Sequence, residues 1–319
     1  MGAEATTLKL DESQRLLASS PAKIIARVGS TFNLRSAFTL IEVMVAMVLL
    51  SLIVFALMAV FNGTQKAFRA SITQTDILES GRAAMDLMAR DLREMAPSGT
   101  YGGAVNFCVT NYVNYPTLKQ TLVAVTNPNI QRTNILENFF ILSRNNIHGS
   151  DSWIGNGYAV ITNSPDGLYS LYRFHVTHPV MTYSPAFLFT NDFEHFLATL
   201  AVAPTNYSHL LDGVLDLRVR AFDASGKWIS FDEKNITTNR MIFSGNELIP
   251  NEDGCIFYSN TLPMAVEIQM ATLEDRALQH AESIPTAQAQ INYLKDQAGK
   301  VHVFRQRVLI PNADPAAYQ

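Results

Sequence analysis

The sequence predicts an α+β fold: a long N-terminal α-helix, its first half transmembrane, packed on an antiparallel β-sheet domain. Three observations predict it. Residues 38–61, FTLIEVMVAMVLLSLIVFALMAVF, contain a single charge, Glu42. At ~1.5 Å per residue such a stretch crosses a ~30 Å hydrocarbon core. Helical periodicity then resumes, with Leu78, Met85, Met88, Leu92 and Met95 at intervals of seven, three, four and three. From Thr100 onward, short β-type runs alternate with turn clusters.

Taken in order, residues 1–37 read as a leader. Lys23, Arg27 and Arg35 face no acid in its second half, which keeps the N-terminus cytoplasmic and sends the C-terminus outward. A secretory signal peptide is the competing reading. Its apolar region is shorter and its small-residue site follows that region. Here the run is longer and Ser36-Ala37 precede it. A lone carboxylate inside an apolar segment costs roughly 2.5–3.5 kcal/mol, so Glu42 calls for a partner. Asn62-Gly63 reads as an interruption and a soft point, since Gly costs about 1 kcal/mol against Ala in a helix. The stripe beyond it is core packing against a globular domain. Asp86–Arg90 and Arg90–Glu94 are spaced as i,i+4 pairs on the wet face, and Pro97 with Ser98-Gly99 ends the helix.

In the β half, Phe139–Leu142 is a short apolar strand. Tyr158–Thr162 and Leu168–Val176 flank the turn cluster at 163–167 and read as a hairpin. Val214–Phe222 alternates, with Leu215, Leu217, Val219 and Ala221 on one face. Residues 223–227 turn the chain into Trp228–Phe231. Met264–Met270 and Val301–Ile310 are two further strands, with a loop or short helix at 273–297 between them. Residues 105–135 and 232–254, rich in Asn and Thr, read as loops with weak strand content.

The 319 residues are enough for a sizeable core. Net charge is −4, and removing the leader, with five basic and three acidic residues, makes the rest more acidic. That argues against a nucleic-acid surface, which needs clustered Lys and Arg. There is no G-x-S-x-G, phosphate loop, H-E-x-x-H or C-x-x-C, so the chain is read as not an enzyme and as holding no cofactor. His175, His178 and His195 lie close in sequence but read as surface or satisfied core histidines. The acidic stretch Asn251-Glu252-Asp253-Gly254 has oxygens for calcium but not a calcium loop's spacing, and a solvated turn is the better reading. Asn206 and Asn235 begin glycosylation sequons, which carry little weight. Cys108 and Cys255 read either as one disulfide, if the domain is exported, or as two buried thiols. Trp228, Phe231, Tyr183, Phe187 and Phe189 are candidates for a partner-facing surface, with core packing the competing reading and the favoured one for Trp228.

Arg35-Ser36-Ala37, followed by Phe38-Thr39-Leu40-Ile41-Glu42-Val43, resembles the processing site of type IV prepilins and type II secretion pseudopilins. The resemblance implies a pilin-like fold and cleavage by prepilin peptidase between Ala37 and Phe38. It implies N-methylation of Phe38, with Glu42 as the assembly residue that pairs with a neighbouring subunit's N-terminal amine. The family usually has Gly where Ala37 stands. Residues 82–95 are also similar to the exposed helix end of J-type minor pseudopilins and W-type minor pilins. Leu211-Asp212-Gly213-Val214 with Trp228, Leu262-Pro263-Met264-Ala265-Val266, and Val303–Val308 resemble J-type tail strands. Residues 100–205 resemble nothing in that family.

The implied organisation is a leader at 1–37, a transmembrane half-helix at 38–61, an amphipathic half at 62–97 and an exported β domain at 98–319. The implied function is a J-like minor pseudopilin, a structural subunit that initiates or caps a type II secretion pseudopilus. The implied partners are other major and minor pseudopilins, prepilin peptidase, the inner-membrane assembly platform and lipid. The implied place is the bacterial inner membrane, single-pass, with the C-terminal domain outside the cytoplasm. A minor type IV pilus subunit and a membrane-tethered binding domain are the alternatives.

Overall fold

A computed structural model describes residues 39–99, 101, 103–111, 119–121, 131–147, 150–163, 166–199, 207–229, 240–243 and 254–318. The chain divides into two compact units, one ending at Phe61 and one running from Asn62 to Gln319. The described part of the first is apolar helix. Every large apolar side chain in it, from Leu40 to Phe61, is at least 45% exposed.

The helix α1 runs unbroken from Leu40 to Arg93. Asn62-Gly63 lie within it, so the helix is not interrupted there as the sequence reading expected. A single Gly weakens a long helix by only about 1 kcal/mol, and a side chain at Gly63 would meet nothing within 4 Å. In the second unit, α1 buries Ile77, Gly81, Ala84, Met85, Met88, Ala89, Leu92 and, just past its end, Met95. Leu78, expected in this stripe, is 36% exposed, while Ile77 is 3% exposed. Eleven residues return a helix to within about 20° of the same face. Ile77 therefore lies in line with Met88, and Leu78 falls to the side. Arg90 reaches Asp91 at 3.7 Å rather than Asp86 or Glu94.

Beyond α1 come β1 (Val105–Asn111), β2 (Lys119–Thr121), β3 (Gln131–Thr133), β4 (Glu137–Ile147), β5 (Ser150–Asn163) and β6 (Leu168–Pro179). A π-helical turn, Leu188–Phe193, leads into α2 (Glu194–Thr199). Then follow β7 (Tyr207–Leu211), β8 (Val214–Phe222), β9 (Arg240–Phe243), β10 (Gly254–Tyr258) and β11 (Ala265–Leu273). The chain closes with α3 (Asp275–Glu282), α4 (Ala287–Asp296) and β12 (Val301–Leu309). Seven strands form an antiparallel sheet in the order β7-β6-β5-β4-β1-β10-β9, and three more form a second, β12-β11-β8. β2 and β3 pair separately.

Side-chain alternation splits the large sheet between two cores. Phe107, Val109, Phe139, Ile141, Tyr158, Val160 and Leu171 face α1 and the small sheet. Cys108, Phe140, Leu142, Tyr172 and Phe174 face the opposite way, against Leu188, Phe189, Phe193 and Phe196. Gly157 sets the approach on that second side, because a Cβ there would lie 2.2 Å from the Phe193 ring. On the first side, a Cβ on Gly81 would lie 2.4 Å from the Phe304 ring.

The stretch at 105–135, read as loop from the sequence, contains β1, a central strand buried on both faces. Its polar residue, Asn106, is satisfied inside. It accepts from the Ser98 N–H at 2.9 Å and donates to the Ser259 and Thr261 carbonyls at 2.8 and 3.0 Å. The expected strand at Val214–Phe222 is β8, with Leu215, Leu217, Val219 and Ala221 all buried. Residues 273–297 hold the two short helices α3 and α4, separated at Pro285.

Candidate functional site

The start of α1 is tied by its own side chains. The Thr39 hydroxyl oxygen accepts from the Glu42 N–H at 3.3 Å. The Thr39 N–H and hydroxyl both donate to Glu42 Oε2, at 3.0 and 3.1 Å. This is a reciprocal capping box: backbone donors that the helix leaves orphaned are met by two side chains. The carboxylate also sits in the first turn, where the helix dipole is positive. Charge counting alone presents Glu42 as an acid without a partner. The Thr-x-x-Glu spacing in front of an apolar run is the signal that finds Thr39. Ala37 and Phe38, the expected processing pair, lie outside the described residues.

At its other end α1 is locked to the large sheet by a buried acid. Asp91 is 1% exposed. It accepts from the Tyr158 hydroxyl at 2.7 Å and from Arg173 Nε at 2.8 Å. Arg173 also donates to Asn156 Oδ1 at 2.9 Å, and His175 Nδ1 lies 2.7 Å from the same oxygen. Burial, and then the Asp91 carboxylate, push the Tyr158 phenol far above its ordinary range, so it stays a donor. Burial works to lower the Arg173 guanidinium, but Asp91 and Tyr158 together outweigh it and the net shift is upward. Helix end, β5 and β6 are thus joined through three charged or polar side chains. Asn312 adds a further tie, donating to the Met95 carbonyl at 2.7 Å.

The remaining sequence candidates do not converge. His178 pairs with Asp192 at 2.8 Å, His175 with Asn156, and His195 is exposed on α2. Among the described residues no group of three His, Cys, Asp or Glu is placed to hold a metal ion. Residues 251–253 of the acidic stretch, Asn206, Asn235 and Phe231 lie outside the described residues. Phe189 is 8% exposed and packs in the core, whereas Tyr183 and Phe187 are exposed at 41% and 39%. Trp228 is half-buried, with the Arg220 guanidinium 5.0 Å from its ring. Cys108 and Cys255 are buried free thiols. They lie on adjacent strands but in different cores, since Cys108 pairs with Ile256 and Cys255 with Val109. Burial raises the Cys108 thiol well above its usual value.

Among the described residues, α1 is the one helix long and apolar enough to cross a membrane. Comparison with curated proteins and with solved structures gives no match. Comparison with family models gives one match, over residues 33–58, to the prokaryotic N-terminal methylation motif. The matched stretch holds the Ala37-Phe38 junction, the Thr39–Glu42 capping box and most of the apolar run. The chain therefore carries the prepilin-type cleavage and methylation motif, the N-terminal signature of the type IV pilin and pseudopilin class.

Proposed function

We propose that this protein is a J-like minor pseudopilin, a non-enzymatic structural subunit that initiates or caps a type II secretion pseudopilus. The observation that carries the reading is α1 with its prepilin-type N-terminus. The helix is apolar and exposed over 40–61, and buried along one face over 77–95. A helix exposed in this way has its apolar surface satisfied only by lipid or by other apolar helices. In the membrane, lipid covers it. In a fibre, helices of neighbouring subunits replace the lipid. The Glu42 carboxylate then exchanges the Thr39 contacts for the N-terminal amine of a neighbour, which sets register. The tail strands β8, β11 and β12 occupy the segments that resemble J-type pseudopilins, which favours the secretion reading over the pilus reading.

Mass spectrometry of the membrane-extracted protein tests the first step. The expected N-terminus is N-methylated Phe38. A chain that begins at Met1, or is cut after Phe61, overturns the proposal. Deletion of the gene in the native host tests the second step. Loss of protein export supports the pseudopilus. Intact export with loss of adhesion, motility or DNA uptake replaces it with a minor type IV pilus subunit.

A further inference from the structure

The strand β12 ends the small sheet, and among the described residues nothing pairs with its outer edge. The Ile310 N–H donates to the Met264 carbonyl at 3.0 Å, which fixes which backbone groups face inward. By alternation, His302, Phe304, Gln306 and Val308 turn their N–H and C=O groups to β11. Val303, Arg305, Arg307 and Leu309 turn theirs outward. The same four residues carry their side chains on the outer face of the sheet. Val303 is 50% exposed, Leu309 74%, and the Arg305 side chain 59%. A nine-residue edge with two large exposed apolar side chains is an uncommon feature in a settled fold, because such an edge invites another strand.

The charges on this face say which strand. Register places Arg218 and Arg220 of β8, and Arg305 and Arg307 of β12, around Glu267 of β11. Among the described residues, register thus puts four guanidinium groups and two carboxylates, Asp216 and Glu267, on this face. Both acids are engaged inside the sheet. Asp216 accepts from the Ile135 N–H, Arg218 and Gln269, and Glu267 accepts from Arg305 at 2.7 Å. At the rim, the Arg307 guanidinium lies 3.8 Å from the centroid of the Phe222 ring, and among the described residues it meets no carboxylate.

We propose that the free edge of β12 receives an extended segment of another protein. That segment carries carboxylates at two alternate positions, with apolar residues on either side. Added as a further strand, it meets the outward N–H and C=O groups of Val303, Arg305, Arg307 and Leu309. Its same-face side chains then stand about 4.5–5.5 Å from those four. The carboxylates oppose Arg305 and Arg307, and the apolar residues oppose Val303 and Leu309. A second copy of this chain is disfavoured in the registers that pair the full strand. Antiparallel pairing of two β12 strands centred on Arg305, Gln306 or Arg307 sets arginine opposite arginine, which is repulsive. The contact uses no part of α1 and is independent of the fibre reading.

The test uses the full chain in detergent micelles and two probe peptides, TVTETETLT and its basic counterpart TVTKTKTLT. The readout is hydrogen exchange across residues 301–310. The acidic peptide is expected to protect the amides of Val303, Arg305, Arg307 and Leu309, and the basic peptide to leave them exchanging. Double charge reversal, Arg305→Glu with Arg307→Glu, is expected to weaken the acidic peptide on the order of tenfold and to admit the basic one. If that variant melts early, Arg307→Glu alone gives the same reading, since among the described residues Arg307 has no carboxylate partner to lose. Val303→Pro removes one outward N–H while an edge position tolerates Pro, and it is expected to reduce protection by the acidic peptide. Equal protection by both peptides in the parent chain overturns the proposal. So does undiminished binding by Val303→Pro, or protection that grows with protein concentration when no peptide is present.

Discussion

Asp91 offers the sharpest test of how the helix is held. Its carboxylate is 1% exposed and takes two short hydrogen bonds, from Tyr158 and Arg173. Replacing it with Ala strands a guanidinium and a phenol that were both satisfied. Breaking one side of a buried ion pair costs roughly 3–5 kcal/mol. The Arg173 side chain keeps 16% exposure, so water partly solvates the stranded charge. That places the cost near the low end, about 3 kcal/mol. For a unit of this size each kcal/mol moves the midpoint by about 2–4 °C, so the expected loss is about 6–12 °C. The assay is thermal and urea unfolding of the segment from Asn62 to Gln319, which forms a compact unit. A companion variant removes the whole constellation: Asp91→Leu, Tyr158→Phe and Arg173→Met. It is expected to recover most of the loss, because the apolar replacement leaves no buried charge unpaired and Asn156 Oδ1 keeps its contact with His175. A cost below about 1 kcal/mol for Asp91→Ala would show that the acid does not lock α1 to the sheet.

Three further outcomes follow from particular contacts. Gly157→Ala is expected to destabilise the second unit by about 1–3 kcal/mol, since its new Cβ would overlap the buried Phe193 ring, while Gly63→Ala, with open space around it, is expected to stabilise the helix by up to about 1 kcal/mol; paired melts check the contrast. His175 is held below its ordinary pKa, by burial first and by the Arg173 charge second. The unfolded chain therefore takes up the proton before the folded one, so stability falls as pH drops through about 6.5 toward the lowered value; His175→Gln should flatten that limb of a urea-midpoint profile between pH 7 and 5. Glu42→Leu is expected to insert and be processed normally but to lose co-purification with partner subunits, because the neighbour's amine has lost its counter-charge; Glu42→Asp should be intermediate, and full assembly of the Leu variant would remove Glu42 from the assembly mechanism.

The parts of the fold legible in the sequence are those where one physical signal acts alone. The apolar run at 38–61 is set by composition. The strand β8 is set by alternation, and β6 by the turn cluster in front of it. The strand β1 is hidden because its buried position 106 is an Asn, two of whose three hydrogen bonds go to Ser259 and Thr261, more than 150 residues away. The first half of β5 was hidden by Gly155 and Gly157, which look like strand breakers. In the structure they make room for Phe140, Leu188 and Phe193. The helical turn at 188–199 packs on that floor, so it has no meaning until β5 is in place. The candidate site divides the same way. Glu42 stands out because it is the one charge in its segment, and Thr39 follows from spacing. Asp91 sits beside Arg90 in the sequence and looks like half of a local surface pair. Its real partners, Tyr158 and Arg173, lie 67 and 82 residues downstream.

Register is the other quantity that local pattern does not supply. Cys108 and Cys255 are on neighbouring strands, and a pairing shifted by a single residue would bring them to one face. The observed register, Cys108 with Ile256, separates them into two cores. The strand β12 makes the point in reverse. Phe304 and Val308 alternate with Val303 and Leu309, so both of its faces carry apolar side chains, and the sequence cannot choose between them. Gly81 makes the choice, because the missing Cβ lets the Phe304 ring lie against α1. Once Phe304 is inside, Val303, Arg305, Arg307 and Leu309 must be outside with their backbone groups at the open edge. The exposed apolar pair on β12 is thus a consequence of how closely the helix approaches the small sheet. A substitution at Gly81 that pushed the two apart would be felt at that edge as well as in the core.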